Sequence, residues 1–188
     1  GEEVKVDRWH GCYDQGWVKI LTPAAYSHPA KVNFKLAGHI YDHAIKQKWI
    51  CTGSKILDPF GGICGFGFHA LWHGMDFTAV ELEPRFVALG QQNIALWRRK
   101  YGSKEGFGTA RIIQGDSRKL REVIAGADLI CSSPPYAECL QHWGGSRSRA
   151  TSKQYQDPLN AADGYGSTPG QLGSMKEGDF DCVVSSPV

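Results

Sequence analysis

Lys55-Ile56-Leu57-Asp58-Pro59-Phe60-Gly61-Gly62 decides the fold. Lys55 to Asp58 reads as a short buried strand that ends in an acid, and a glycine turn from Gly61 to Gly67 leads into a helix over Phe68 to His73. The same strand-turn-helix order then repeats. Phe77-Thr78-Ala79-Val80-Glu81 is a second strand, and Pro84 opens a helix whose apolar face (Phe86, Val87, Leu89, Gly90, Ile94, Trp97) runs to Arg98-Arg99-Lys100. Arg111-Ile112-Ile113-Gln114 is a third strand, Arg118 to Ile124 a helix, and Asp128-Leu129-Ile130-Cys131 a fourth strand. Upstream, Leu36, Ile40, Ala44 and Ile45 recur at helical spacing and predict a helix from Phe34 to Ile50. Alternation of this kind implies an α/β fold built on a doubly wound parallel sheet.

Bulk composition narrows the class without naming a chemistry. At 188 residues, 41% hydrophobic and 21% charged, the chain reads as one soluble globular unit able to bury a core. No apolar run approaches the roughly 20 residues of a membrane span, and the charged Gly1-Glu2-Glu3 start carries no signal-peptide pattern, so the cytoplasm is the expected compartment. Six cysteines without a C-x-x-C pair predict reduced, mostly buried thiols. A net charge of +2 leaves any nucleic-acid argument to local clustering.

Asp58, Glu81, Asp116 and Ser133 all fall at strand ends, and a parallel sheet brings such residues to one crevice, where ligands of these folds bind. Gly61, Gly62, Gly65 and Gly67 would let backbone approach a ligand closely. Glu81 is placed to accept hydrogen bonds from ribose hydroxyls. Leu82 and Pro84 offer an apolar surface for an adenine ring, and Asp116, in Gln114-Gly115-Asp116-Ser117, an acceptor for its exocyclic amine. The plainer reading of Asp58 and Asp116 is that they cap the turns and helices that follow.

The fourth strand runs into Ser132-Ser133-Pro134-Pro135-Tyr136, whose composition suits a planar base. An exocyclic base amine is a poor nucleophile because its lone pair is delocalised into the ring. Acceptors for its N–H groups localise that pair, and the Ser133 hydroxyl oxygen and the Pro134 carbonyl would be those acceptors, with Pro135 fixing the backbone. Tyr136 would stack on a base extruded from a duplex. Positioning and electrostatics then carry the rate without a covalent intermediate. An ordinary Pro-Pro turn is the plainer reading. Carbon-5 methylation would need a cysteine nucleophile after proline, whereas Cys131 precedes the serines.

These strings resemble the S-adenosylmethionine-dependent, amino-methylating DNA methyltransferases that modify cytosine N4 or adenine N6. The resemblance covers about Ser27 to Tyr136. It identifies Asp58, Pro59, Phe60, Gly61 and Gly62 with the cofactor motif, Glu81 with the ribose acid, and Leu82 with the adenine surface. Asp116 with Ser117 matches the adenine-contacting segment, and Ser133, Pro134, Pro135 and Tyr136 the catalytic motif. His28-Pro29-Ala30-Lys31 is similar to the segment these enzymes place near the methionine end of the cofactor. The resemblance implies a Rossmann-like class I methyltransferase sheet, S-adenosyl-L-methionine as cofactor and DNA as partner. Ser rather than Asp or Asn at the first catalytic position favours cytosine N4 over adenine N6. Cys64 departs from the pattern, standing where the family's turn usually repeats glycine.

The expected organisation is an N-terminal arm and helix over 1–50, a cofactor-binding and catalytic core over 51–136, a Gly/Ser-rich flexible insertion over 137–178, and a truncated repeat of the catalytic strand over 179–188. Asp179 to Pro187 echoes Ala127 to Pro134, which makes two candidates for the catalytic strand. The first follows Asp116 and is complete. Later strands and a target-recognition segment are not evident, so a fragment or a partner chain is expected. Arg147, Arg149 and Lys153 suit either a DNA backbone or a solvated linker. The pairs His39/His43 and His69/His73 lack a third ligand, so no metal is expected. Two other classes stay open. Gly65-Phe66-Gly67-Phe68-His69-Ala70 fits the dinucleotide pattern of an NAD-dependent oxidoreductase, and a catalytically incomplete nucleic-acid-binding module is the other.

Overall fold

In the computed structural model, residues 8–14, 16–28, 31–133 and 168–169 are described. Helix α1 (Phe34–Lys46) precedes β1 (Lys55–Asp58), α2 (Gly67–Trp72), β2 (Asp76–Glu81), α3 (Pro84–Tyr101), β3 (Thr109–Gln114), α4 (Leu120–Val123) and β4 (Leu129–Ile130). The four strands form one parallel sheet in the order β3-β2-β1-β4, with Lys55 opposite Asp76 and Ile56 opposite Leu129. The chain steps outward from β1 to β3, then returns to the far side of β1 as β4. That reversal is the doubly wound, Rossmann-like arrangement, in which ligands bind beyond the carboxyl ends of the strands flanking the reversal, here β1 and β4.

The sheet forms where apolar strands are covered on their faces. Ile56, Phe77, Ala79 and Ala110 meet Phe68, Ala70 and Leu71 of α2, Ile94, Leu96 and Trp97 of α3, and Tyr41 of α1 in one buried cluster. Helix α1 begins at Asn33, whose side chain accepts from the Lys35 N–H at 3.0 Å. It ends at Lys46, short of the expected Ile50. Lys48 turns left-handed (φ 61°), and the Trp49 N–H closes on the Ala44 carbonyl at 3.0 Å, which halts the helix.

Two other expectations are corrected. The region expected as a helix from Arg118 to Ile124 is a 3-10 turn over Ser117–Lys119 followed by the single turn α4, because the Asp116 side chain captures the Arg118 N–H at 2.9 Å. Strand β4 is only two residues long, and Ile130 is 60% exposed. Bonds beyond it extend the pairing with β1. The Lys55 N–H donates to the Asp128 carboxylate at 2.7 Å, and the Cys131 N–H to the Leu57 carbonyl at 2.9 Å.

The arm is fixed by buried indoles. Trp17 Nε1 donates to the Val32 carbonyl at 2.8 Å, and Trp97 Nε1 to the Ile20 carbonyl at 2.6 Å. Asn93 of α3, fully buried, accepts from the Thr22 N–H at 2.9 Å and donates to the Ile63 carbonyl at 3.0 Å, joining arm, helix and glycine turn. No helix among the described residues is long and apolar enough to cross a membrane.

Candidate functional site

Asp58 closes β1 and is 3% exposed. Its carboxylate accepts from the Phe60 N–H at 3.0 Å, which bends the chain through Pro59 and Phe60, both half-buried. Burial pushes Asp58 up to about 7, and the neighbouring Glu81 adds to the rise, while the Phe60 N–H and the adjacent Ser132 hydroxyl oppose it. Ser132 Oγ, itself buried, lies near that carboxyl without completing a hydrogen bond among the described residues. Ser132 and the half-buried Ser133 follow Cys131, which is bonded to β1 through Leu57. The pairing therefore delivers the serine string to the end of β1, at the point where the strand order reverses.

Glu81, at the end of β2, is buried and holds the glycine turn in shape. One carboxylate oxygen accepts from the Gly62 N–H at 2.8 Å and the other from the Glu83 N–H at 2.8 Å. Burial raises its pKa, these N–H groups lower it, and the Glu83 carboxylate raises it again. Leu82 is half-buried and Pro84 exposed beside it.

The glycines also serve the packing of the turn. A Cβ on Gly61 would lie 2.6 Å from Ala79 Cβ, one on Gly65 2.9 Å from a Val32 methyl, and one on Gly67 2.9 Å from the Phe77 ring. These three make room for the protein's own core. Gly62 differs: its φ is +49°, and a Cβ there would stand 2.9 Å from His28 Nε2. Cys64, the departure from the glycine pattern, is fully buried with φ +67°. Glycine adopts that backbone freely, whereas a side chain costs about 1 kcal/mol or more.

His28 is buried over the turn, with its ring edge-on to Phe86 at 4.3 Å between centroids. The Lys31 ammonium donates to the Tyr26 carbonyl at 3.2 Å and to the His28 carbonyl, and its burial lowers its pKa. Lys31 thus braces the backbone that presents His28.

Asp116 follows the plainer reading. Its carboxylate accepts from the backbone N–H, Nε and Nη2 of Arg118 at 2.9, 3.0 and 2.5 Å, and this pairing holds its pKa below the usual range. Ser117 opens the 3-10 turn that places Arg118 there.

The thiols of Cys64 and Cys131 are not poised as nucleophiles. Burial and the Asp58 charge push Cys131 up to about 12, and Cys64 rises well above its ordinary value for the same reasons. Cys12, Cys51, Cys64 and Cys131 are all free. His39 and His43 meet the Trp9 ring at 6.0 and 5.5 Å, His69 Nε2 meets the Phe34 carbonyl at 2.8 Å, and His73 lies 3.6 Å from Asp42. No group of three or more His, Cys, Asp or Glu among the described residues could hold a metal ion.

Pro29, Pro134, Pro135 and Tyr136 lie outside the described residues, as do Arg147, Arg149, Lys153 and the repeated strand over 179–188. Of the expected insertion over 137–178, Thr168 and Pro169 are described. Sequence reasoning passed over Glu83, which is 5% exposed and accepts from the Thr168 N–H at 2.9 Å and the Thr168 hydroxyl at 2.8 Å. The only local signal was its place between the Glu81 strand end and Pro84; the partner lies 85 residues away.

No family model matches this sequence, and no curated protein matches it. Several solved structures are similar to it. TrmN from Thermus thermophilus aligns at 19% identity with TM-score 0.46, over 61% of this chain and 32% of that one. A TehB-like SAM-dependent methyltransferase from Corynebacterium glutamicum aligns at 22% identity with TM-score 0.38, over 52% and 43%. The Pyrococcus abyssi tRNA (uracil-54, C5)-methyltransferase, solved with S-adenosyl-L-homocysteine, aligns at 18% identity with TM-score 0.40, over 57% and 24%. The chain spans less than half the length of each of these three.

Proposed function

We propose that this chain is an S-adenosylmethionine-dependent methyltransferase acting on an exocyclic base amine, with cytosine N4 of duplex DNA as the first target to test. The observation that carries the reading is the pair of buried acids, Asp58 and Glu81, on adjacent strands at the reversal point, with Ser132 and Ser133 arriving from β4. The groups that act on Asp58 are the Phe60 N–H, the Ser132 hydroxyl and Glu81, none of them a cation. A ligand that brings positive charge and ribose hydroxyls fits this pair. Bound there, S-adenosylmethionine supplies an electrophilic methyl on a sulfonium.

The chain's own groups then do the positioning. Asp58 and Glu81 hold the cofactor by charge and by hydrogen bonding, and His28 with the Gly62 turn walls the site. The Ser133 hydroxyl oxygen and the Pro134 carbonyl accept from the target amine, concentrating its lone pair toward the methyl group, while Tyr136 stacks on the base. The neutral thiol of Cys131 favours direct transfer over a thiolate adduct.

The test uses the full chain with methyl-labelled cofactor and duplex DNA, alongside tRNA and protein controls, followed by nucleoside analysis. Label in N4-methylcytosine is the expected result, and label in N6-methyladenine would move the target to the other amine. Cofactor binding with label only in RNA or protein overturns the DNA assignment, and tight NAD binding without S-adenosylmethionine binding overturns the enzyme class. Ser133→Ala should lower transfer about a hundredfold while changing cofactor affinity less than about twofold.

A further inference from the structure

The bonds between Glu83 and Thr168 are the contact that no strand-end motif explains. Glu83 follows Glu81 by two residues, and its backbone N–H is held by the Glu81 carboxylate, which also holds Gly62. Its own carboxylate turns to the remote chain: one oxygen accepts the Thr168 N–H at 2.9 Å, the other the Thr168 hydroxyl at 2.8 Å. Gly62, Glu81, Glu83 and Thr168 therefore form one continuous series of hydrogen bonds, from the turn after β1, through the turn after β2, to residue 168. Glu83 is almost wholly buried, so loss of either donor leaves a charged acceptor without water to replace it. The sheet order adds a second fact. Ser133 follows β4, the neighbour of β1 on one side, while Thr168 bonds the turn after β2, the neighbour of β1 on the other.

We propose that Thr168, clamped by Glu83, is a positioning residue for the nucleoside half of the cofactor, setting the wall of the crevice on the β2 side next to Glu81. The inference rests on the cofactor reading above and adds a residue that the strand-end pattern does not contain. The clamp acts through Glu81. With Thr168 in place, the Leu82-Glu83 turn is held from both sides, and the Glu81 carboxylate keeps the orientation in which its remaining lone pairs face a ligand. Pro169 follows immediately and has no N–H of its own, so it adds no competing donor to the Glu83 carboxylate.

Thr168→Val keeps the branched shape and the backbone N–H and removes the hydroxyl donor, while Thr168→Ser keeps the hydroxyl. Calorimetry on the full chain would measure binding of S-adenosylmethionine and of 5′-methylthioadenosine, which carries the nucleoside without the amino acid. Thr168→Val should weaken both by about tenfold and in parallel, the loss expected for one hydrogen bond to a buried charge, and Thr168→Ser should recover most of it. Ligand-free Thr168→Val should also melt at a lower temperature, because the lost donor leaves the buried Glu83 carboxylate one hydrogen bond short with or without ligand. Unchanged affinity in Thr168→Val at a temperature where it is fully folded, beside normal binding by the parent chain, overturns this inference alone. So does a loss confined to S-adenosylmethionine. A parent chain that binds neither nucleoside overturns the cofactor reading and this inference together.

Discussion

Glu81 and Asp116 occupy equivalent places, each at the carboxyl end of a parallel strand or one turn beyond it, and their surroundings set them apart. Glu81 is buried, its pKa is raised, and its two oxygens hold the backbone of Gly62 and Glu83. Asp116 is half-buried, with 19% of its side chain exposed, its pKa is lowered, and its oxygens are taken by the side chain two residues on. Topology brings an acid to the crevice; the nearest donors decide whether it shapes a site or caps a turn. Among the described residues no cation is paired with Glu81, whereas the Asp116 carboxylate is taken up by Arg118.

The largest effect should come from breaking the buried end of that contrast. Glu81→Ala leaves the Gly62 and Glu83 N–H groups without acceptors in a dry setting, a cost of about 3 kcal/mol for two stranded donors. Denaturant unfolding should register that loss, and S-adenosylmethionine binding should weaken by more than about a hundredfold. Unaltered cofactor affinity in a folded Glu81→Ala variant would remove Glu81 from the site.

A smaller effect, with a definite sign, follows from Asp58. An aspartate in the unfolded chain titrates near 3.9, and in the fold burial pushes it up to about 7. The folded chain holds the proton more tightly, so the Asp58 contribution to stability is largest at low pH, falls as pH rises from about 4 to about 7, and is level above. A cationic cofactor prefers the carboxylate and expels that proton. Its dissociation constant should therefore fall by roughly tenfold between pH 5.5 and 7, a window in which its amino group stays charged. Calorimetry in buffers of different ionisation enthalpy would report the released proton, and Asp58→Asn should flatten the slope. A flat profile in the parent chain would show that no proton leaves Asp58 on binding.

What the sequence made legible follows the same division between position and surroundings. Apolar runs placed β1, β2 and β3, the first two ending in acids, because a parallel strand needs little more than such a run. The alternation of elements implied a doubly wound sheet but not which strand β4 joins; its pairing with β1 brings Ser132 and Ser133 to the Asp58 side of the sheet. The glycine turn has a packing role that the sequence did not show, because Gly61, Gly65 and Gly67 spare Ala79, Val32 and Phe77, neighbours known only once the chain is folded. Cys64 shows the reverse: the resemblance expects glycine there, and the backbone is indeed left-handed, with cysteine bearing the strain. Glu83 was invisible because its partner lies in a stretch with no periodicity.

The smallest effect tests the arginine-paired end. Arg118 fixes Asp116 through a short local pair on the surface, where such pairs contribute little, so Asp116→Ala should change cofactor affinity by no more than about threefold. Arg118→Ala separates two accounts of the same carboxylate. If Arg118 competes with an adenine amine for Asp116, its removal frees the acceptor and tightens binding by up to about threefold, while the backbone N–H of residue 118 continues to cap the turn. If Asp116 is a cap alone, both substitutions leave affinity unchanged and alter only the local turn, which amide exchange at residues 117–119 would detect. A loss beyond about thirtyfold in Asp116→Ala, with Arg118→Ala unchanged, would mean that the arginine yields to the ligand on binding. Asp116 would then act with Glu81 despite its pairing with Arg118, and the lesson drawn from their surroundings would hold for the ligand-free chain only.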